Sequence, residues 1–315
     1  MRILITQVYC YASIAIIKLL KRKTNLELEV WATDKDALGY ASGSLLVDKF
    51  IQSPEITDPH YSEFIATIYE QNNMDFLISV DEQELLIFYN NELHIKCNMV
   101  MPSSTILNLF THKKEASLAV RKLGVKIPPI ITDLSREKKV IFRKNQSVGS
   151  KGIYIVDLET SQMIENHFNQ NEFIQRYISG DEYTVDVFSD INGTPKLIIP
   201  RKRLEIRNGI SFKTQLIYDE QIISICKKIL KNYPIPGLCN LQFIKKGNSV
   251  YFIELNPRFA GSGITGITAS FNYIELYIRH FFLNEDLASF DYYMDKVIWN
   301  SIVTRYYEEL TLFPD

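Results

Sequence analysis

The sequence predicts an α/β lobe with a small parallel sheet followed by strand-rich α+β lobes, and three features of the chain carry that prediction. Over the first hundred residues, strand-like runs at 2–8, 26–33 and 76–80 alternate with helix-like runs at 13–21 and 61–71, which is βαβ patterning. A helical run over 113–123 then stops at Gly124, and Val125-Lys-Ile-Pro-Pro129 forces an extended exit, so a second lobe starts near there. Beyond it strands dominate, ending in two apolar runs, 238–244 and 250–255, that flank Lys245-Lys-Gly-Asn-Ser249 as a hairpin with a five-residue connection. A chain of 315 residues with 46% hydrophobic content is long enough for two or three packed cores.

Bulk charge narrows the function. A formal net charge of -2 excludes a general binder of nucleic acid or membrane surfaces, though phosphates can still be met locally. Cys10, Cys97, Cys226 and Cys239 show neither CxxC nor zinc-finger spacing and read as free thiols. The apolar run 3–8 is short, with no basic leader and no stretch of about 18 apolar residues, so the expected location is cytoplasmic.

In the first lobe the turn after the opening strand reads Gln7-Val-Tyr-Cys-Tyr-Ala-Ser13, without the G-x-G-x-x-G of a dinucleotide fold, which excludes a standard nicotinamide site. Asp34 and Asp81-Glu-Gln-Glu84 follow strands, where open α/β sheets bind ligands. They are expected either to line a substrate crevice or, for Asp81, to cap a helix starting near Glu82.

In the second lobe a strand over 139–143 leads into Ser147-Val-Gly-Ser-Lys-Gly152 and a further strand over 153–156. No Walker helix follows. Gly149 and Gly152 allow close backbone approach, and Ser150 and Lys151 supply donors to phosphate oxygens; an ordinary hairpin turn accounts for the same residues. A strand ending at Ile178, a turn at 179–181 and an alternating strand over 182–188 come next. Backbone near Tyr177 and Ile178 suits an adenine edge and Glu182 suits ribose hydroxyls, unless these strands merely build a sheet. In the basic stretch 200–209, Arg203 and Arg207 alternate with Leu204 and Ile206 and read as site residues, whereas Arg201 and Lys202 fit a solvated face equally well.

The terminal hairpin carries the most chemistry. An odd loop pairs positions of like parity, so Asn240, Gln242, Phe252 and Glu254 are expected on one face, with Asn256 following. One carboxylate and two amide oxygens fit Mg²⁺, which completes its octahedron with waters and phosphates. Arg258 and the glycine cluster Gly261-Ser-Gly-Ile-Thr-Gly266 lie just beyond. That cluster either presents a helix N-terminus, ahead of a helix over 269–282, to a substrate carboxylate or is a tight connection. His112 reads as a surface residue at a helix start.

In its order of motifs (Lys113 with Gly124 and Pro128; Arg143 with the 149–152 loop; Gln175-Arg-Tyr-Ile-Ser-Gly-Asp-Glu182; Gln242 with Glu254-Leu-Asn-Pro-Arg258) the chain resembles the ATP-grasp superfamily. Within it, the likeness is to single-chain ligases similar to the carbamoyl-phosphate-synthase large subunit. The resemblance covers nearly the whole chain and implies a pre-ATP-grasp lobe at 1–108, a small ATP-grasp lobe at 109–172, and a large lobe with a C-terminal extension at 173–315. It implies ATP clasped between two lobes, with Lys113, Arg143, Gly149, Ser150, Lys151 and Gly152 at its phosphates. Gln175, Arg176, Tyr177 and Ile178 would lie at adenine and Glu182 at ribose. It further implies Mg²⁺ or Mn²⁺ on Gln242, Glu254 and Asn256, with Arg258 holding the acceptor or the transferred phosphoryl group; Arg203 and Arg207, from the basic stretch, join it as catalytic candidates opposing phosphate charge. The reaction implied is Mg-ATP-dependent carboxylate–amine ligation through an acyl phosphate, on small-molecule carboxylate and amine substrates, with no nucleic acid or membrane partner and a homodimer as a possible assembly. A non-catalytic ATP-binding subunit and a carboxyphosphate-forming carboxylase or carbamoyl-transfer enzyme are the alternatives. Two departures stand out: Arg143-Lys144 where many relatives carry Lys-Pro, and Arg176 near the position where an acidic residue often receives the adenine amino group.

Overall fold

The computed structural model describes residues 1–146, 152–158 and 172–313. Its first sheet is wholly parallel, in the order Lys49–Gln52, Glu29–Asp34, Arg2–Ile5, Phe76–Ile78. Ile3, Leu4 and Ile5 are fully buried in succession, as expected of a parallel strand covered on both faces. The chain winds outward from Arg2–Ile5 and returns to its other side with Phe76–Ile78, which makes the carboxyl ends of these two strands the topological switch point. Helix Tyr11–Arg22 packs on this sheet; Cys10 caps it by accepting from the Ser13 amide at 3.4 Å, and Lys21 and Arg22 complement its last turn.

Of the acidic groups at these strand ends, Glu82 lines a cavity as the crevice expectation has it, whereas Asp34, Asp81 and Glu84 do other work. Asp34 is fully buried and accepts from the amides of Tyr9 and Asp36, bracing a loop. Asp81 caps helix Glu82–Asn90, accepting from the amides of Gln83 and Glu84 at 2.9 and 3.0 Å. Glu84 turns inward and accepts from Thr6, Ser79 and Tyr61; burial pushes its carboxyl up to about 7 against those three hydrogen bonds.

A second sheet is antiparallel, in the order Ile130–Ile131, Glu172–Arg176, Lys139–Lys144, Ile153–Asp157. Strand Glu172–Arg176 belongs to it as a whole, so this sheet continues past residue 172, where the smaller lobe was expected to end. Its own buried core is small, formed by Val140, Phe142 and Ile174.

The third sheet runs in the order Ser249–Asn256, Gly237–Lys246, Asp181–Ser189, Pro195–Arg207, Ile210–Leu216, Ile302–Thr304. Helix Glu220–Asn232 covers it with Ile222, Ile223, Cys226, Ile229 and Leu230, an apolar stripe at helical spacing, and Asp219 caps that helix. Pro195–Arg207 and Ile210–Leu216 are joined by Asn208-Gly209, both at positive φ (49° and 77°), the requirement of a type I′ turn. The helix expected over 269–282 begins only at Tyr273, as Tyr273–Leu283, and a separate short helix, Ile264–Thr268, precedes it. The break falls at Asn272, whose side chain accepts from the amides of Ile274 and Glu275 and starts the second helix anew. Tyr273–Leu283 packs on both the first and third sheets, and Phe282 stacks on Phe76 at 4.1 Å, so these two lobes share one continuous core.

Candidate active site

The hairpin Gly237–Lys246 and Ser249–Asn256 is tighter than expected and irregular in a way that matters. The turn is Gly247-Asn248, two residues rather than five, with Gly247 at φ 55° as the first position of a II′ turn demands. An even loop pairs positions of opposite parity, and Lys246 accordingly faces Ser249 and Phe243 faces Phe252. Ile253 is then an extra residue, a β-bulge that restores like parity: Gln242 faces Glu254 and Asn240 faces Asn256. Phe252 therefore leaves the polar face, where it had been placed, and is fully buried edge-on to Phe243 at 6.0 Å. Gln242, Glu254 and Asn256 all line a cavity of about 490 Å³ between the second and third sheets.

Glu254 is the centre of charge in this cavity. Arg143 Nη2 lies 3.1 Å and Lys113 Nζ 3.9 Å from its Oε2, while Asn256 Nδ2 donates to its Oε1 at 3.4 Å. Burial alone would push its carboxyl up, but Lys113, Arg143, Asn256 and Arg258 together hold it below the usual carboxylate range. The same burial lowers Lys113 and Arg143, partly offset by Glu254. Lys113 opens helix Lys113–Lys122, which packs on strand Ser249–Asn256, whereas Arg143 reaches across from the second sheet and also donates to the Ile253 carbonyl at 3.2 Å. Arg143 thus ties the two lobes together. Its Nε is buried without a hydrogen-bond partner.

The remaining expected residues divide. Tyr177, Ile178, Glu182, Arg203 and Arg258 line the cavity. Arg203 donates to Glu182 at 3.0 Å, to Ser211 Oγ and to the Gly209 carbonyl, and burial lowers its pKa in spite of Glu182. Gln175 also lines the cavity, buried, accepting from Arg143 and donating to the Pro128 carbonyl. The Tyr177 amide already donates to the Lys139 carbonyl at 3.2 Å. Arg176 borders the cavity but is held by a bidentate pair with Glu137. Gly152 sits at φ 76° against the Lys144 side chain, where a Cβ would come within 2.5 Å. Gly149, Ser150 and Lys151 lie outside the described residues.

Arg207 is not brought to the site. Extra residues at Leu204 and Phe212 shift the strand alternation, so Arg203 and Ile206 face the cavity while Arg207 turns away, pairing with Glu205 and stacking on Phe212 at 3.5 Å. Its neighbour Arg201, read as equally suited to a solvated face, is fully buried. It binds Asp186 through two bonds of 2.7 and 2.8 Å and reaches Ser262 and Thr265; Asn240 and Tyr273 also donate to Asp186. That network ties Ser262 and Thr265 of the glycine cluster to the third sheet, while Gly261 and Ser262 line the cavity. Glu82, one of the carboxylates expected after a strand as lining of a substrate crevice, does line the cavity from the first lobe and lies 3.1 Å from Arg258 Nε.

Among the described residues no three His, Cys, Asp or Glu side chains gather to hold a metal ion. The donor set here, one carboxylate flanked by two amides beside cations able to meet phosphate, suits Mg²⁺, which keeps waters and substrate oxygens in its shell. No helix of the described residues is long and apolar enough to cross a membrane.

Residues 169–295 match the family model described as ATP-grasp in the biosynthetic pathway with Ter operon, and residues 3–101 match the PylC-like N-terminal domain. The carbamoyl phosphate synthase large chain of Clostridium beijerinckii is 24% identical over 243 residues, covering 65% of this chain and 23% of that one. The corresponding large chain of Clostridium botulinum is 29% identical over 133 residues, covering 38% of this chain and 12% of that one. The chain therefore spans less than a quarter of the length of these relatives. Three solved structures share the fold. They are the biotin carboxylase domain of Hydrogenobacter thermophilus 2-oxoglutarate carboxylase with MgADP, ADP and bicarbonate (TM-score 0.73, 14% identity, 96% of this chain and 73% of that one), a Campylobacter jejuni biotin carboxylase complexed with β-γ-ATP (0.69, 18%, 92% and 72%), and Staphylococcus aureus N5-carboxyaminoimidazole synthetase with ADP (0.68, 16%, 91% and 78%).

Proposed function

Given that the chain is an ATP-grasp protein, we propose that it is a Mg-ATP-dependent carboxylate–amine ligase that works through an acyl phosphate and releases ADP and phosphate. The observation that carries this reading is the convergence of Lys113, Arg143, Glu254 and Arg258, drawn from different lobes, on one cavity of about 490 Å³. Nucleotide complexes among the structural neighbours support the ATP assignment.

In this reading Lys113 and Arg143 hold the β- and γ-phosphates, and the orphaned Arg143 Nε gains the acceptor it lacks. Gln242, Glu254 and Asn256 would hold Mg²⁺, which when bound neutralises phosphate charge as it is transferred. The substrate carboxylate attacks the γ-phosphorus, the bond to the ADP oxygen breaks, and Arg258 stabilises the anionic product. An amine then attacks the acyl carbon and inorganic phosphate leaves. The second sheet, with its small separate core and its tie through Arg143, closes over the nucleotide and keeps water from the acyl phosphate.

Purified protein given Mg-ATP, pooled carboxylates and pooled amines should release ADP. Absence of release with every pool, together with no heat of ATP binding, would sink the proposal. Bicarbonate-stimulated release without other carboxylates would instead favour a carboxyphosphate-forming enzyme, a reading supported by the carboxylase neighbours.

A further inference from the structure

One charged group in the cavity has no task in the mechanism above. Glu82, at the start of helix Glu82–Asn90, reaches the cavity from the switch point of the parallel sheet, where open α/β sheets bind ligands. Its side chain is only 11% exposed, and its Oε1 is buried without a hydrogen-bond donor aligned to it. Arg258 Nε stands 3.1 Å away, a charge contact lacking hydrogen-bond alignment, and Arg258 spends Nη1 on the Phe259 carbonyl. The other charges that act on Glu82 are Glu254, Asp81 and Lys113. Arg258 already gives Glu82 one neighbouring cation, but its buried acceptor Oε1 is unsatisfied and calls for a donor.

Resting on the ligase reading, we propose that Glu82 is the docking group for the ammonium of the acceptor substrate, so that the amine enters from the parallel-sheet lobe and is selected for positive charge. The chemistry balances without any further reagent. The ammonium gives one proton to Glu82; the resulting amine forms the C–N bond as the carbon–oxygen bond to phosphate breaks; and the amine's second proton leaves with the phosphate.

The test uses two nucleophiles of different charge. Hydroxylamine is uncharged at neutral pH and traps an acyl phosphate as a hydroxamate, whereas amino acids and aliphatic diamines are cationic. Full-length wild-type protein and Glu82→Gln are each supplied with Mg-ATP, a pool of mono- and dicarboxylic acids and amino acids as donors, and either nucleophile class. Loss of one charge-assisted hydrogen bond predicts that the ratio of amide to hydroxamate falls about ten- to hundredfold in Glu82→Gln, through the KM for the amine, with Glu82→Asp intermediate. An unchanged ratio, whether both products persist or both fall together, overturns the proposal and leaves Glu82 as a counter-ion that positions Arg258. Failure of the ligase reading itself shows separately and first, as a wild-type protein that forms no hydroxamate from any donor.

Discussion

Replacing Glu254 by Gln removes a negative charge that Lys113 and Arg143 share. Separations of 3.1 and 3.9 Å correspond to attractions of about 5 and about 4 kcal/mol at an effective dielectric of about 20. Desolvation of the buried partners, several kcal/mol, offsets most of this and leaves a net loss of about 3 kcal/mol. On the scale of domains of roughly 150–250 residues that lowers the melting temperature by about 6–12 °C. Nucleotide should then act differently on the two proteins. ATP without metal supplies Lys113 and Arg143 with an anion in place of the one removed and meets one carboxylate fewer, so it should stabilise Glu254→Gln more than wild type. Turnover with Mg-ATP should nevertheless fall by about a hundredfold or more, since the carboxylate proposed to hold Mg²⁺ is missing. Scanning fluorimetry of both proteins alone, with ATP and EDTA, and with Mg-ATP, together with ADP release, measures all of these quantities. A Glu254→Gln protein with wild-type melting temperature and wild-type turnover would refute the reasoning.

Burial raises the Glu84 carboxyl to about 7, above its unfolded value, so its contribution to stability is full at pH values below the unfolded pKa and is lost as pH rises through about 7. The loss amounts to about 3 kcal/mol, and urea titrations at pH 5 and pH 8 should show a fall in wild type that is absent in Glu84→Gln. Asp186→Asn strands the fully buried Arg201 and should cost about 3–5 kcal/mol, most of it recovered in Arg201→Met with Asp186→Leu, as read by denaturant unfolding. Arg207→Ala should leave turnover unchanged and Arg203→Ala should reduce it, because only Arg203 faces the cavity; the reverse order would place the bulge at Leu204 wrongly.

The βαβ patterning of the first lobe was legible because buried parallel strands are nearly continuous apolar runs and helix Tyr61–Gln71 declares itself by its period. The polar face of the hairpin was legible too, though by two steps that cancel: the turn is even where an odd loop was expected, and the bulge at Ile253 reverses the parity again. Phe252 shows what periodicity cannot see, since it lies on the other side of that bulge. The same limit exchanged Arg201 and Arg207. Alternation treats positions 201, 203 and 207 alike, whereas irregularity at Leu204 and a buried partner at Asp186, 15 residues away, send one inward and the other outward. Asn208-Gly209, by contrast, is a plain hairpin signal that reading the stretch only for charge passed over. Glu82 was legible only as one of a group of carboxylates after a strand; which of them enters the cavity is decided by the packing of the first lobe against Arg258.

The central claim is that a substrate carboxylate takes the γ-phosphoryl group. With donor carboxylates labelled by oxygen-18, that route carries one labelled oxygen into inorganic phosphate when the amine displaces it. Mass analysis of the released phosphate should therefore find one heavy oxygen per amide formed; amide accompanied by unlabelled phosphate and ADP, or by AMP, would contradict the account.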